Sequence, residues 1–312
     1  MDWTNKRVVV TGGTGFLGTH LVKRLREAGA KVAIPSRPQW DLLDARQTQR
    51  FFAMHRPAVV FHCAADVGGI GYNLERGESI GHTNNIINQN VIDACEHLTD
   101  APKLITVGSV CAYPEVPTTI PFIESEMFDE LPEVTNRAYG LSKRALLVMC
   151  HDARRVSGLN AIHLVLANLY GEGDSFDEHK SHVIPALIKK FHTAKVANAP
   201  SVTLWGTGTA TRDFLYVGDA VDALLLAAET YDSPEPLNIG TGKEYSIGTI
   251  AERLKDTVGY TGDIVWDTTK PDGQPRRVLN VDKAKTALNW RSQTELHSGL
   301  ERLYKWCMEN ET

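Results

Sequence analysis

A short apolar run, Arg7-Val-Val-Val-Thr11, leads directly into Gly12-Gly13-Thr14-Gly15-Phe16-Leu17-Gly18, and apolar residues then recur at helical spacing as far as Glu27. Strand, glycine turn and helix in that order constrain the fold more than any other part of the chain. Glycines at 12, 15 and 18 let the backbone turn sharply, approach a pyrophosphate closely and pack the helix on the sheet, with the helix N-terminus facing the negative charge. A glycine trio alone is also compatible with a plain tight turn. The strand before it and the helix after it favour a dinucleotide site, lined by Gly12, Thr14, Gly15, Phe16, Leu17 and Gly18.

The alternation continues downstream. Apolar runs at Val32–Pro35, Ala58–His62, Lys103–Val107 and Ala161–Leu166 read as strands. Helical spacing near Ala45–His55, Thr83–His97 and Ala138–Val156 separates them. Short apolar strands divided by helices imply a parallel sheet covered on both faces. The expected fold class is α/β, a Rossmann doubly wound parallel sheet with a smaller mixed α/β substrate-binding lobe. Residues 1–168, with a returning segment at about 212–235, would form the cofactor domain, and 169–211 with 236–312 the lobe. The lobe would carry helices at Val183–Thr193, Asp219–Thr230, Ser246–Val258 and from Ser298, and a strand at Val202–Trp205.

With 312 residues and 42% hydrophobic content the chain can bury a large core, and its size favours two connected lobes. A net charge of −5 with no polybasic run gives no support to nucleic acid or an anionic membrane as partner, so an anionic ligand needs local cations. Five cysteines, at 63, 95, 111, 150 and 307, show neither a disulfide framework nor zinc-finger spacing. No stretch reaches the roughly 20 apolar residues that span a bilayer, and the start lacks an apolar signal core. A cytoplasmic, soluble enzyme is the expectation. His179 and His182 alone are too few ligands for zinc, and no metal is expected.

The residues after the second strand choose the nicotinamide cofactor, since an acid there accepts from ribose hydroxyls whereas a cation meets a 2′-phosphate. Here stand Ser36 and Arg37, with the first acid delayed to Asp41, which favours NADP over NAD. Asp44 could accept from an adenine amino group. Ala64, in Cys63-Ala-Ala65, would let the cofactor pass close to the backbone.

A second cluster handles a carbonyl. Tyr139 and Lys143 lie four apart, on one face of a helix, and an ammonium near a phenol lowers a pKa that is otherwise near 10. Lys143 could also reach the nicotinamide ribose, and Ser109, at the end of the fourth strand, would bind the same substrate oxygen as Tyr139. Cys111 lies two positions beyond Ser109 and, on an extended strand, would share its side. A thiol beside a carbonyl-polarising group can serve a second proton transfer at an adjacent carbon. Arg212 and Lys190 are the cations placed to bind a pyrophosphate.

These motifs resemble those of the extended short-chain dehydrogenases/reductases of the nucleotide-sugar branch, in the NAD-dependent epimerase/dehydratase family. Within it they are most similar to the GDP-L-fucose synthases, 3,5-epimerase/4-reductases of GDP-4-keto-6-deoxy-D-mannose. The resemblance runs nearly end to end. It rests on the glycine turn, Val67-Gly-Gly-Ile70, Gly108-Ser-Val-Cys-Ala-Tyr-Pro114, Thr135-Asn136, Asn168-Leu-Tyr-Gly171, Ser181-His-Val-Ile-Pro-Ala-Leu187, Trp205-Gly-Thr-Gly208, Arg212-Asp-Phe-Leu215 and Lys270-Pro-Asp-Gly273.

The resemblance implies that Cys111 and His182 exchange protons at carbons 3 and 5 while Ser109 and Tyr139 hold the enolate oxygen. Tyr139 then donates a proton as hydride reaches carbon 4. It further implies that Tyr139, Lys143, Asn168 and His182 touch the cofactor, that Asn168, Lys190, Trp205, Arg212 and Asp272 bind the GDP-sugar, and that the enzyme is a homodimer. Three departures from the family pattern bear on the sugar. Asp66 stands where lysine is usual, Leu166-Ala167 where proline and threonine are usual, and Lys190 where arginine is usual; a lysine lacks the two-pronged phosphate geometry of arginine. A related 4-reductase or epimerase acting on another GDP-4-keto sugar, such as a 3,6-dideoxy or heptose analogue, is the alternative. A non-catalytic cofactor-binding regulator would be expected to lack some of Ser109, Tyr139 and Lys143, and all three are present.

Overall fold

The computed structural model describes residues 1–177 and 181–310. The first half runs β1 (Arg7–Thr11), α1 (Phe16–Glu27), β2 (Lys31–Ala33), α2 (Ala45–His55), β3 (Val59–His62), α3 (Ile70–Glu96), β4 (Lys103–Ser109), α4 (Arg137–Ser157) and β5 (Ala161–Leu166). Then come β6 (Asn168–Tyr170), α5 (Val183–Val196), β7 (Ser201–Trp205), β8 (Thr211–Arg212), β9 (Phe214–Tyr216), α6 (Val217–Thr230) and β10 (Leu237–Ile239). The chain closes with β11 (Tyr245–Ser246), α7 (Ile247–Val258), β12 (Asp263–Asp267), β13 (Arg276–Arg277), α8 (Asp282–Leu288) and α9 (Leu296–Asn310).

Six strands form one sheet in the order β10-β5-β4-β3-β1-β2, every pairing parallel. From β1 the chain first moves outward to β2 and then crosses to β3 on the other side. The order therefore reverses at the carboxyl ends of β1 and β3, which is where a doubly wound sheet opens a crevice for a ligand. Unbroken apolar strands follow from two-sided burial. Val8 and Val10 join a core with Leu21 and Leu25 of α1 and Ala220, Ala223 and Leu224 of α6, while Val9 between them joins Phe51, Phe52, Val91 and Leu146 of α2, α3 and α4. Successive side chains of a strand point to opposite faces, so the strands here carry apolar residues toward both faces. A third core, with Ile184, Phe191, Leu204, Ile250, Leu254, Leu300 and Leu303, lies among α5, β7, α7 and α9.

Two boundaries differ from the sequence expectation by more than a turn. The returning segment continues past 235, because β10 pairs with β5 and Leu237 and Ile239 join the first core, as do Leu279, Val281 and Ala284 further on. α3 begins at Ile70 rather than near Thr83. Its first turns carry Gly71, Gly77 and Gly81, which have low helix propensity and no apolar stripe, so nothing in the sequence announces them. Packing holds them instead, since Cβ atoms added at Gly77 or Gly81 would lie only 3.8 and 3.6 Å from Ala138 Cβ at the start of α4. Among the described residues no helix is long and apolar enough to cross a membrane.

Candidate functional site

The glycine turn fits a dinucleotide on geometric grounds. Gly12 has φ +67°, and a Cβ there would meet Ala64 N at 2.8 Å and the Cys63 carbonyl carbon at 2.9 Å, so the turn lies against the residues that follow β3. A Cβ at Gly18 would sit 2.0 Å from Gly12 O, which makes that glycine obligatory for seating α1 beneath the turn. Gly15, exposed, is the N-cap of α1 and gives its first turn no side-chain cap. Helix amides uncapped by the protein and facing the crevice suit a pyrophosphate. Thr14 is exposed on the same turn, Phe16 and Leu17 are half-buried at its edge, and Arg37 is exposed just beyond β2. Asp44 also caps a helix. Its carboxylate accepts from Arg46 N at 2.8 Å and Gln47 N at 3.0 Å as the N-cap of α2, and those backbone bonds hold its pKa down.

The carbonyl-handling residues come from β4 and α4. Ser109 is the last residue of β4, and Val110–Ala112 is a short 3₁₀ turn, so Cys111 is not on an extended strand. It nonetheless stays beside the serine, because its N–H donates to Ser109 Oγ at 3.2 Å. Gly140 explains how α4 reaches this turn: a Cβ there would fall 2.3 Å from Cys111 O. Arg144 Nε reinforces the contact by donating to Ala112 O at 2.6 Å. Tyr139 and Lys143 are thereby brought to Ser109 and Cys111, with Lys143 Nζ 5.5 Å from the centre of the Tyr139 ring.

Burial dominates the Tyr139 phenol. It raises the pKa, the Cys111 thiol adds to the rise, and a hydrogen bond with Ser109 opposes it. The lysine is itself buried and donates to Val107 O at 2.8 Å, and burial brings its pKa down to about 8. Beneath it lie two neutral imidazoles. His62 is pushed down to about 4 and His163 to about 3, in each case by burial first and then by the Lys143 charge. Asn88 Nδ2 donates to Ser142 O, so Asn88 Oδ1 accepts from His62 Nε2–H at 3.0 Å; Nδ1 of the neutral ring then accepts from Thr11 Oγ1 at 2.7 Å, whose oxygen accepts from Ala64 N at 3.2 Å. This network ties the ends of β1 and β3 to α3 and, through Asn88 and Ser142 O, to α4.

The remaining expected residues are spread across the lobe. His182 precedes α5, 46% exposed, and its Nδ1 lies 3.2 and 3.1 Å from the two oxygens of buried Asp174. Desolvation works to lower its pKa, but the hydrogen bond and charge of Asp174 outweigh that and raise it. No hydrogen bond joins His182 to Ser109, Cys111 or Tyr139 among the described residues; His179 lies outside them. Arg212 is buried and donates to Thr211 O and Gln274 O, both at 2.7 Å, and to Asp272 O at 3.3 Å. Asp272 is itself taken up by the Trp205–Gly208 turn, accepting from Thr207 N at 2.7 Å and Thr207 Oγ1 at 2.8 Å. Trp205 is exposed under Lys270, whose Nζ is 5.5 Å from the ring centre. Lys190 is exposed and donates to Thr203 O at 3.0 Å, and Asn168 Nδ2 donates to Asp213 O at 2.9 Å.

Sequence reasoning passed over two residues that the fold brings to the site. Asp174 is brought to His182 by a loop with positive-φ glycines at 171 and 173, and the carboxylate between that glycine pair and the histidine was the available signal. Arg277 reaches Cys111 from β13, a two-residue strand too short to show a period.

The residues thus present an open helix N-terminus for a pyrophosphate, a serine, tyrosine and lysine for a ketone oxygen, and a thiol beside them. Comparison with known proteins agrees. A GDP-L-fucose synthase from Arabidopsis thaliana is 37% identical over 313 aligned residues, 99% of this chain and 95% of that protein. A GDP-6-OMe-4-keto-L-xylo-heptose reductase from Campylobacter jejuni superposes with a TM-score of 0.92 at 30% identity, covering 99% of each chain. A GDP-mannoheptose C4 reductase from the same organism, solved with NADP bound, gives 0.88 at 30%, covering 98% and 99%. The chain is an NADP-dependent enzyme of the epimerase and reductase type. Residues 8–240 match the model of the NAD dependent epimerase/dehydratase family, and the chain belongs to that family.

Proposed function

We propose that the protein converts GDP-4-keto-6-deoxy-D-mannose to GDP-L-fucose by epimerisation at carbons 3 and 5 and NADPH-dependent reduction at carbon 4. The observation that carries this is the thiol of Cys111 within the group of Ser109, Tyr139 and Lys143. A simple ketone reductase has no use for it. A 4-ketone acidifies the hydrogens on carbons 3 and 5, and inversion needs one group to remove a proton and another to return one to the opposite face. Cys111 takes the first role and His182 the second, its protonated form favoured by Asp174. Ser109 and Tyr139 hold the oxygen on which negative charge develops. Bound NADPH supplies hydride to carbon 4. Tyr139 gives the oxygen its proton, and the Lys143 ammonium stabilises the phenolate left behind.

Arg212 holds the substrate's pyrophosphate, with Trp205, Lys190 and Asn168 around it. Asp272 shapes the Trp205 turn. The exposed apolar residues Leu74 of α3, Val134 just before α4 and Leu141 of α4 support the homodimer that the family implies. All five cysteines are free thiols, in keeping with a reducing cytoplasm.

A second reading, 4-reduction of a GDP-heptose, is favoured by Asp66. Its carboxylate accepts from Tyr72 OH at 2.7 Å, next to the crevice, where the family pattern has a cation. Incubation with NADPH and a panel of GDP-4-keto sugars, with product identification, decides between them. Turnover of the 6-deoxy sugar to GDP-L-fucose supports the first; NADPH loss with a heptose alone overturns it.

A further inference from the structure

We propose that Arg277 is a positioning residue for Cys111, a guanidinium fixed against the sulfur so that the thiol is oriented and charge-compensated as a base. The proposal builds on the role given to Cys111 above. Arg277 Nη1 donates to Cys111 Sγ at 3.4 Å. Its other faces are occupied. Nε donates to Gln274 Oε1 at 3.0 Å, and Nη2 lies 3.9 Å from Glu133 Oε2.

Both partners are anchored in turn. Gln274 Nε2 donates to Pro114 O at 2.9 Å and Glu115 O at 3.0 Å, in the segment that follows Cys111. Glu133 accepts from Thr135 N at 3.0 Å and Asn136 Nδ2 at 3.1 Å, immediately before α4. The guanidinium is thus pinned to the two segments that carry Cys111 and Tyr139.

A cation in this place has an electrostatic cost that calls for an explanation. β13 pairs in parallel with β8, and Arg277 stands opposite Arg212. Both are buried, and like charges across a strand pair are unfavourable. Burial, and next the Arg277 charge, brings the Arg212 pKa down to about 10. The Cys111 sulfur acts on Arg212 in the opposite sense to Arg277.

Cys111 faces Tyr139 and Lys143 from α4, Arg212 from β8 and Arg277 from β13, with Glu133 behind the last. Of these, Arg277 alone donates to the sulfur among the described residues. In the step it serves, the C–H bond next to the ketone breaks and its proton forms an S–H bond on the thiolate. The electron pair moves to the ketone oxygen, held by Ser109 and Tyr139. A guanidinium beside a thiolate stabilises it and leaves its lone pair available.

The test needs no sugar, so failure to turn over a GDP-sugar leaves it intact. Iodoacetamide alkylation of Cys111 is followed against pH by peptide mass spectrometry in the full-length protein, with the NADP affinity of each variant confirming a folded cofactor site. Arg277→Met is expected to move the midpoint upward and slow alkylation at neutral pH about tenfold. Arg277→Lys should restore part of the shift. Glu133→Gln, which loosens the anchor, should move the profile in the direction of Arg277→Met by less, and it carries the test together with Arg277→Lys should the methionine variant not fold. An unchanged profile in Arg277→Met, or in both other variants, overturns the proposal. So does a shift in Arg277→Lys as large as in Arg277→Met, which would mark a structural role.

Discussion

Asp174→Asn isolates one charge. Asparagine keeps an oxygen for His182 Nδ1 and for Ser175 N, which Asp174 Oδ1 accepts at 2.8 Å, and removes only the negative charge. A hydrogen bond to a charged group contributes about 1.5–3 kcal/mol and a neutral one about 0.5–1.5, so the charge is worth about 1 kcal/mol before screening. The His182 side chain is 46% exposed, and solvent takes part of that away. What remains, roughly 0.7 kcal/mol, lowers the imidazole midpoint.

The assay is an NMR titration of the His182 ring, assigned by its absence in His182→Ala. The folded-state pKa of His182 is raised, so the pair's stabilisation is complete below the unfolded pKa and fades as pH rises through the folded one. Asp174→Asn should therefore destabilise the protein more at about pH 5.5 than at about pH 9. A midpoint that stays put or rises would refute the role assigned to Asp174.

Further expectations concern the buried groups around Tyr139. Lys143→Met should abolish NADPH oxidation yet raise stability at neutral pH, by up to roughly 3 kcal/mol for an ammonium whose pKa burial has brought down to about 8. The unfolded chain holds more protons than the folded one between the two lysine pKa values, so urea midpoints of wild type and variant should converge from about pH 8 toward 10. A variant less stable at every pH would contradict this. Gly108→Ala places a Cβ 2.4 Å from His163 Nε2 in a closed core and should cost about 1–3 kcal/mol by denaturant unfolding. His163→Ala in the same background should return part of that cost; a neutral Gly108→Ala would show the ring free to move.

Much of the architecture was legible because local and global signals agree. β1, α1, α2 and β5 have the bounds that their apolar spacing and the glycine turn mark out. The carbonyl-handling group was legible for a similar reason, since Ser109, Tyr139 and Lys143 lie within two successive elements. Features that rest on distant contacts were not. The first turns of α3 exist by packing against α4, and the two-residue strands β8, β11 and β13 carry no period of their own. Arg277 is 166 residues from Cys111 along the chain, and only the β8–β13 pairing puts it there. Asp44 shows the opposite case, a carboxylate whose helix-capping role is local and could be read from its place just before α2.

Proton exchange in heavy water tests the central claim most directly. Wild-type enzyme with GDP-4-keto-6-deoxy-D-mannose and NADPH in heavy water should yield GDP-L-fucose carrying deuterium at carbons 3 and 5, with one NADPH consumed per product. Tyr139→Phe should lose the reduction, while Cys111→Ser should lose the exchange and still reduce a ketone that is already epimerised. Undiminished deuterium incorporation by Cys111→Ser would contradict the account.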